Sequence, residues 1–524
     1  MQTTHDYVVV GGGSSGSIVA SELAANGASV LLLEAGAAAE SHPETLRADG
    51  YREAFVNDAL MIPRFSTPQP GIGGRRIFLG SGRGLGGSGS INAMVYTRGS
   101  REDYEAWGDG YRWADVAPHF EALEARLRPN RRGTTRFQEA CIEGAKDIGL
   151  RRKEDLNDGD LSGVLGYEWM SFEGKDRRSS YVAFVKDRVL PSLQIRTGAR
   201  ATRIAFRERR AEGVEYTDGG TLSFARAKHE VVLALGALET PRLLLLSGVG
   251  DRGALARAGV SSTADAPEVG KNLHDHPNIS LFFLANEDVD CDYPSLYGFD
   301  RVRSASGVPD TCYVFYPARS SFREGMMRML PAMVLPPNAH ERFAPALRSV
   351  IGGAMGMSLA NRLVRRLYGI VVILGKPKSR GALTIESSSP DAPAIIDPAY
   401  LRDPADLAAM LEGIRRARCI ARSSALAALG NREVLPGVLG ASERGTKRFL
   451  ANNIMTTYHY AGTCRMGDDA SAVVDRRLRM RAVQGVRIVD ASVIPEAPVA
   501  ALNAPSMMLG LKGARLLLEE RPPS

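Results

Sequence analysis

The sequence predicts an α/β fold that opens on a parallel β-sheet. Three observations carry that expectation. A short β-branched run, Tyr7 to Val10, leads straight into Gly11, Gly13 and Gly16, spaced as G-x-G-x-x-G. Residues Ser17 to Ala25 follow with apolar side chains at helical spacing. A second apolar run, Ser29 to Leu33, ends in Glu34. Strand, glycine turn, helix and second strand with an acidic end make up the Rossmann-like dinucleotide-binding unit.

Each part has a physical task. The continuous apolar runs suit strands buried on both faces. Gly11 permits the tight turn, Gly13 lets the backbone approach a pyrophosphate, and Gly16 lets the helix pack close to the strand. Free N–H groups at the helix start face the phosphate anion. Glu34 supplies a carboxylate for the ribose hydroxyls and disfavours a 2′-phosphate. The motif alone does not choose between NAD and FAD.

Composition narrows the class. The chain has 524 residues, 44% hydrophobic and 24% charged, which is a globular balance. Its 66 basic and 59 acidic residues give a net charge of +7. The basic residues are spread out, in pairs such as Arg131-Arg132 and Arg365-Arg366, which argues against nucleic-acid binding. The five cysteines are widely spaced without a C-x-x-C, so no disulfide framework and no zinc site are expected. A reducing, cytoplasmic compartment fits this usage. The N-terminus lacks the pattern of a signal peptide, and no run of about 18 apolar residues marks a membrane span.

Further along, Gly82 to Tyr96 is dense in Gly and Ser, a composition able to wrap its backbone round a flat ligand. With this stretch the chain resembles the glucose–methanol–choline (GMC) oxidoreductase family. Residues Gly82 to Glu105 match its first signature, and Gly236 to Gly250 its second. Gly270 to Pro277 and Tyr458 to Gly510 add two further matches in the family's order.

The resemblance implies FAD as the dinucleotide. The phosphate turn would then comprise Gly11, Gly13, Ser14, Ser15 and Gly16, with Glu34 and Ala35 beside the ribose. Arg83, Gly87 and Ser88 are expected to bind the cofactor, and Asn92, Ala93, Met94 and Val95 fall where family members meet the flavin. Ala201 falls at the adenine end, with Ala234 and Gly236 nearby in the site. Asp490 and Ala491 fall at the ribityl and pyrophosphate region, and Asn503, Ala504 and Pro505 complete the site. Some members bond FAD covalently through a histidine just before the Asn; here that position is Ile91, so non-covalent FAD is expected.

The resemblance also implies a catalytic pair. His459 lies in Tyr458-His459-Tyr460-Ala461-Gly462-Thr463, which resembles the active-site segment, and Asn503 stands at the family's second active-site position. Oxidising an alcohol removes a hydroxyl proton and a carbon-bound hydride. Flavin N5 can take the hydride, and a positioned base must take the proton. Histidine suits this near neutral pH, while a neutral amide can orient the hydroxyl. His274 and His276 flank Asp275 without a third nearby ligand, so no metal site is expected, and the resemblance implies a structural role for this stretch around the cofactor.

A discontinuous second domain, with an antiparallel sheet covering the flavin, is implied for 156–189 and 286–447. The FAD domain would comprise 1–155, 190–285 and 448–524. Ser379 to Ile385 reads as a turn and strand of the covering sheet, and Asp403-Pro404 as the capped start of a helix. The segment 326–357 is rich in methionine. Its plainer reading is core, and its sharper one is a greasy entrance resting on the inner face of a membrane. The expected function is oxidation of a primary or secondary alcohol, with oxygen, a quinone or another acceptor taking the electrons. The rivals are a hydroxynitrile lyase-like flavoprotein of the same family and a light-driven fatty-acid decarboxylase-like one. The alcohol and the oligomeric state stay open.

Overall fold

A computed structural model describes residues 2–303 and 307–521. Two sheets dominate it. The first has seven strands in the order Leu193–Arg196, Val30–Leu33, Gln2–Val10, Thr221–Leu233, Arg210–Asp218 and Ala199–Arg207, with Val486–Ile488 also paired to Thr221–Leu233. Its heart is parallel: Val8 to Val10 sit between Leu31 to Leu33 and Val231 to Leu233. Those residues are buried on both faces, as their unbroken apolar run requires. The long strand Thr221–Leu233 serves two purposes. Its first half closes an antiparallel meander with Gly213 to Asp218, and its second half pairs in parallel with Val486–Ile488. The C-terminal segment is thereby brought into the same sheet as the N-terminal strand, with Thr221–Leu233 between them.

The helix Gly16–Ala25 follows the first strand, as its spacing predicts. It packs against the last helix, Asn503–Glu519. Gly510 is the contact point: a Cβ there would lie 3.0 Å from the Ser15 Cα. The helix Pro404–Arg422 starts as expected, with the Asp403 carboxylate accepting the Ala405 N–H at 2.8 Å.

The second sheet has eight strands. Its path runs Arg432–Leu435, Pro277–Leu284, Leu367–Leu374, Thr311–Pro317, Leu296–Asp300, Val164–Tyr167 and Arg151–Arg152, with Met455–Thr456 also paired to Pro277–Leu284. Its central strands are antiparallel. One row across them joins Asn278 to Ile373, Ile373 to Cys312, and Cys312 to Phe299. Side chains in one row share a face, and this row lines a cavity described below.

Three expectations are corrected. Arg151–Arg152, Pro277–Leu284 and Met455–Thr456 belong to the second sheet, so its strands extend beyond the borders expected at 155, 285 and 448. Gly381–Thr384 does not join the covering sheet. It pairs with Lys271–Leu273 and Ile395–Asp397 in a separate three-stranded sheet. Four residues carry no signal for which sheet they join, and the nearby Ile395–Asp397 closes the shortest loop. The methionine-rich segment is not core. Met326, Met327, Met329 and Met355 are half-buried, and Met333 and Met357 are exposed. These residues lie on or beside three helices, Phe322–Val334, Pro337–Gly356 and Ser358–Arg365, inserted between adjacent sheet strands. No described helix is long and apolar enough to cross a membrane.

Candidate active site

A cavity of about 1050 Å³ lies between the two sheets. It is lined at one end by Gly11, Gly13, Ser14, Ser15 and Glu34, and elsewhere by His459 and the row from Asn278 to Phe299. That exceeds the few hundred Å³ typical for a drug-sized ligand.

The glycine turn is built for a ligand. Gly11 has φ of +99°, and a Cβ there would lie 2.6 Å from the Ala234 carbonyl oxygen. A Cβ on Gly16 would lie 1.9 Å from the Gly11 carbonyl oxygen, so the protein itself demands glycine there. Gly13 differs. A Cβ there would meet nothing closer than 3.9 Å and would enter a lining position of the cavity. Protein packing does not explain glycine at 13, whereas close approach of a diphosphate does. Two helix starts meet here: the Ser14 hydroxyl donates to Asn503 Oδ1 at 2.8 Å, and Ser15 to the Ser506 carbonyl at 2.8 Å. Both helices direct partial positive charge toward the turn.

Glu34 is buried, and burial pushes its carboxyl pKa up. Three backbone donors oppose that shift: Gly12 at 2.8 Å to Oε2, and Gly36 and Gly84 at 2.7 and 3.0 Å to Oε1. Glu34 therefore braces the turn and the Gly82 segment. About four acceptor positions on a carboxylate leave one more for a ribose hydroxyl.

The flavin-side segment is held by a residue the sequence did not flag. Arg177 is fully buried and donates to the Gly89 carbonyl at 3.0 Å, Asn92 Oδ1 at 2.8 Å and the Asn92 carbonyl at 2.6 Å. Burial without a carboxylate partner lowers its pKa to about 9. Asn92 Oδ1 also accepts the Met94 N–H at 2.9 Å, which leaves the amide NH₂ as its free end. Met94 is buried with φ of +66°. Farther along, Asp490 accepts the Gly236 N–H at 2.9 Å and the Thr240 hydroxyl at 2.6 Å, pinning the turn after Leu233.

Most residues expected at the cofactor line this one cavity. They include Ala35, Arg83, Gly87, Ser88, Asn92, Ala93, Val95, Ala201, Ala234, Gly236, Asp490, Ala491 and Asn503. Gly16, Met94, Ala504 and Pro505 stand behind its wall. FAD fits this donor set: helix starts for the diphosphate, a braced carboxylate for the ribose, and an amide at the flavin end.

His459 is half-buried in the cavity wall, and burial lowers its pKa to about 4, so it is neutral at pH 7. Its backbone N–H donates to Asp275 at 2.8 Å. Asp275 also accepts the hydroxyls of Thr456, at 2.6 Å, and Tyr400. The hydrogen-bond chain sets the tautomer. The Thr457 hydroxyl gives its hydrogen to the His276 carbonyl at 2.6 Å. Toward His459 Nδ1, 3.1 Å away, Thr457 can then only accept, so Nδ1 carries the proton. His276 Nδ1, 3.0 Å from the same atom, accepts as well. His459 Nε2 is left with a bare lone pair, and His276 keeps its hydrogen on Nε2, which has no partner among the described residues. His276 lines the cavity. The expectation that it is merely structural misses this contact, because nothing local links it to His459. Asn503, expected beside the substrate, instead has its Oδ1 engaged by Ser14 of the phosphate turn.

Comparisons with known proteins agree with this construction. Models of the N- and C-terminal parts of GMC oxidoreductases match residues 5–278 and 377–510. The chain is 32% identical to an alcohol dehydrogenase [acceptor] of Pseudomonas putida, over 98% of this chain and 96% of that one. It is 31% identical to an oxygen-dependent choline dehydrogenase of Paraburkholderia xenovorans, over 97% and 93%. The fold matches the crystal structure of pyridoxine 4-oxidase from Mesorbium loti with a TM-score of 0.85 and 26% identity, covering 99% of this chain and all of that one. The chain belongs to the GMC oxidoreductase family, as an FAD-dependent oxidoreductase.

Proposed function

We propose that the enzyme oxidises a hydrophobic primary or secondary alcohol to the aldehyde or ketone, with FAD held non-covalently. One observation supports the reading: His459 lines the cavity that also holds the phosphate turn, and the contacts at its Nδ1 favour the tautomer with Nε2 unprotonated. Bound FAD supplies the hydride acceptor. His459 Nε2 takes the hydroxyl proton, and such a positioned base contributes about 10²–10⁴-fold. The resulting imidazolium keeps its Nδ1–H between Thr457 and His276, two neutral acceptors. We assign to His276 the orienting role expected of Asn503, because its Nε2–H is the unpartnered donor beside the base. Asn503 then serves the cofactor side, tying the last helix to the phosphate turn.

The walls support an apolar substrate. Phe299, Cys312 and Ile373 face the cavity from the sheet, and Phe55, Met61, Met329 and Tyr458 from elsewhere. Ile91 offers no group for a covalent flavin bond. The relatives named an alcohol dehydrogenase and a choline dehydrogenase support alcohol chemistry, with electrons passing to oxygen, a quinone or another small acceptor. The test is anaerobic flavin reduction against a panel of aliphatic and aromatic alcohols, followed by readmission of oxygen and a peroxide assay. Bleaching by an alcohol is expected; no bleaching by any would sink the reading and favour the lyase-like alternative.

A further inference from the structure

The three helices inserted between the strands Thr311–Pro317 and Leu367–Leu374 present one face to the body and leave the other bare. The inner face is anchored by charge. Arg328 and Arg348 are both buried and both donate to Asp58 Oδ1, at 2.7 and 2.8 Å. The outer face is apolar where solvent would favour polar residues. Val350 is 68% exposed, Met357 64% and Leu359 73%, joined by Phe343 and Leu363. The last helix, Ser358–Arg365, buries none of its residues.

The charges round this face have one dominant sign. Among the exposed charged residues of the second and third helices, Glu341 is acidic and Arg342, Arg362 and Arg365 are basic. Arg342 lies over the Phe343 ring at 5.2 Å, so its stem covers apolar surface while its charge stays outside. Arg342 and Arg362 make no ion pair among the described residues, whereas Arg365 pairs with Asp288. Short amphipathic helices with exposed Leu, Met and Phe beside free arginines suit a lipid interface carrying anionic headgroups. The same insert reaches the cavity: Met329 and Glu341 line it. Glu341 is exposed, so an opening lies next to Arg342 and Phe343.

We propose that the outer face of these helices docks on an anionic phospholipid bilayer and sets the cavity mouth against the lipid. An alcohol or quinone dissolved in the bilayer would then reach His459 without crossing bulk water. The docking stands on exposed side chains alone and does not depend on which alcohol is oxidised.

The test is co-sedimentation of the holoenzyme with vesicles of phosphatidylcholine alone or with added phosphatidylglycerol, at low and high salt. Binding to the anionic vesicles is expected, weakened about tenfold by high salt or by omission of phosphatidylglycerol. Leu359→Glu with Leu363→Glu should weaken it at least about tenfold. Arg342→Glu with Arg362→Glu should abolish the preference for anionic lipid. Both pairs should keep the flavin spectrum and turnover of a water-soluble alcohol. Recovery of the wild type in the unbound fraction at low salt, or wild-type binding by both variants, would overturn the proposal. So would a wild-type dimer in light scattering that Leu359→Glu with Leu363→Glu splits into monomers, because the face would then belong to a second copy of the chain.

Discussion

The Nδ1 atoms of His276 and His459 stand 3.0 Å apart, a contact that needs a hydrogen on one ring and a lone pair on the other. Thr457 decides which ring owns the hydrogen, by spending its own hydroxyl hydrogen on the His276 carbonyl. His459 is thereby held as the tautomer whose Nε2 can accept a proton.

Replacing these two histidines should separate their roles. His459→Ala should retain FAD and lose about 10²–10⁴-fold in the anaerobic rate of flavin reduction. His276→Asn keeps an acceptor near the Nδ1 position and should reduce flavin better than His276→Leu, which removes it. Nitrogen NMR of His-labelled protein should show His459 Nδ1 protonated in the wild type. Equal rates for the wild type and His276→Leu would leave His276 no part in the reaction.

The acid limb of the reaction should lie low. Burial lowers the His459 pKa to about 4, so the base form persists well below the ordinary histidine range near 6.5. The rate constant for flavin reduction should hold from pH 8 to about pH 5, then fall about tenfold per unit below pH 4. Stopped-flow pH jumps, brief enough to precede acid unfolding, would measure it. A limb centred near 6.5 would mean that His459 is not the base or is solvated.

Two glycines three residues apart should respond in opposite ways to alanine. Gly13→Ala adds a Cβ that meets nothing closer than the Gly87 Cα at 3.9 Å. It should fold with an apo-protein melting temperature near that of the wild type but purify with little flavin. Gly16→Ala drives a Cβ to 1.9 Å from the Gly11 carbonyl oxygen and should lower the melting temperature of the apo-protein itself. Normal flavin content in Gly13→Ala would remove the diphosphate from that position.

Glu168 offers a stability test. It is fully buried, neither carboxylate oxygen makes a well-formed hydrogen bond among the described residues, and burial raises its pKa to about 8, with the nearby Thr97 side chain opposing the shift. Its folded pKa thus lies above the unfolded value of 4.5. Below pH 4.5 the group is protonated in both states and costs nothing by this route. Between pH 4.5 and 8 the unfolded chain holds fewer protons, so stability falls as pH rises, by on the order of 3 kcal/mol at pH 7. Glu168→Gln removes that dependence. It should raise the midpoint of urea unfolding at pH 8 far more than at pH 5. An equal change at both would show that the carboxyl is ionised or solvated in the native state.

Short-range pattern in the chain was enough for the first βαβ unit. Gly11, Gly13, Gly16 and Glu34 are bound to one another by turn geometry within a few tens of residues, and the Asp403 cap is set by its own neighbours. Family signatures added the cavity wall from Gly82 to Val95 and the proposed base, His459. Tertiary structure alone decided the rest. It set His276 against His459, 183 residues away, engaged Asn503 with Ser14, and locked Asn92 with Arg177. It aligned Asn278, Ile373, Cys312 and Phe299 in one row, and gave Gly381–Thr384 to a different sheet. The physical reason is range. Helical and strand periodicity and cap chemistry act between near neighbours, whereas register, tautomer and partner choice depend on which distant groups the packed core forces to share a few ångströms of space.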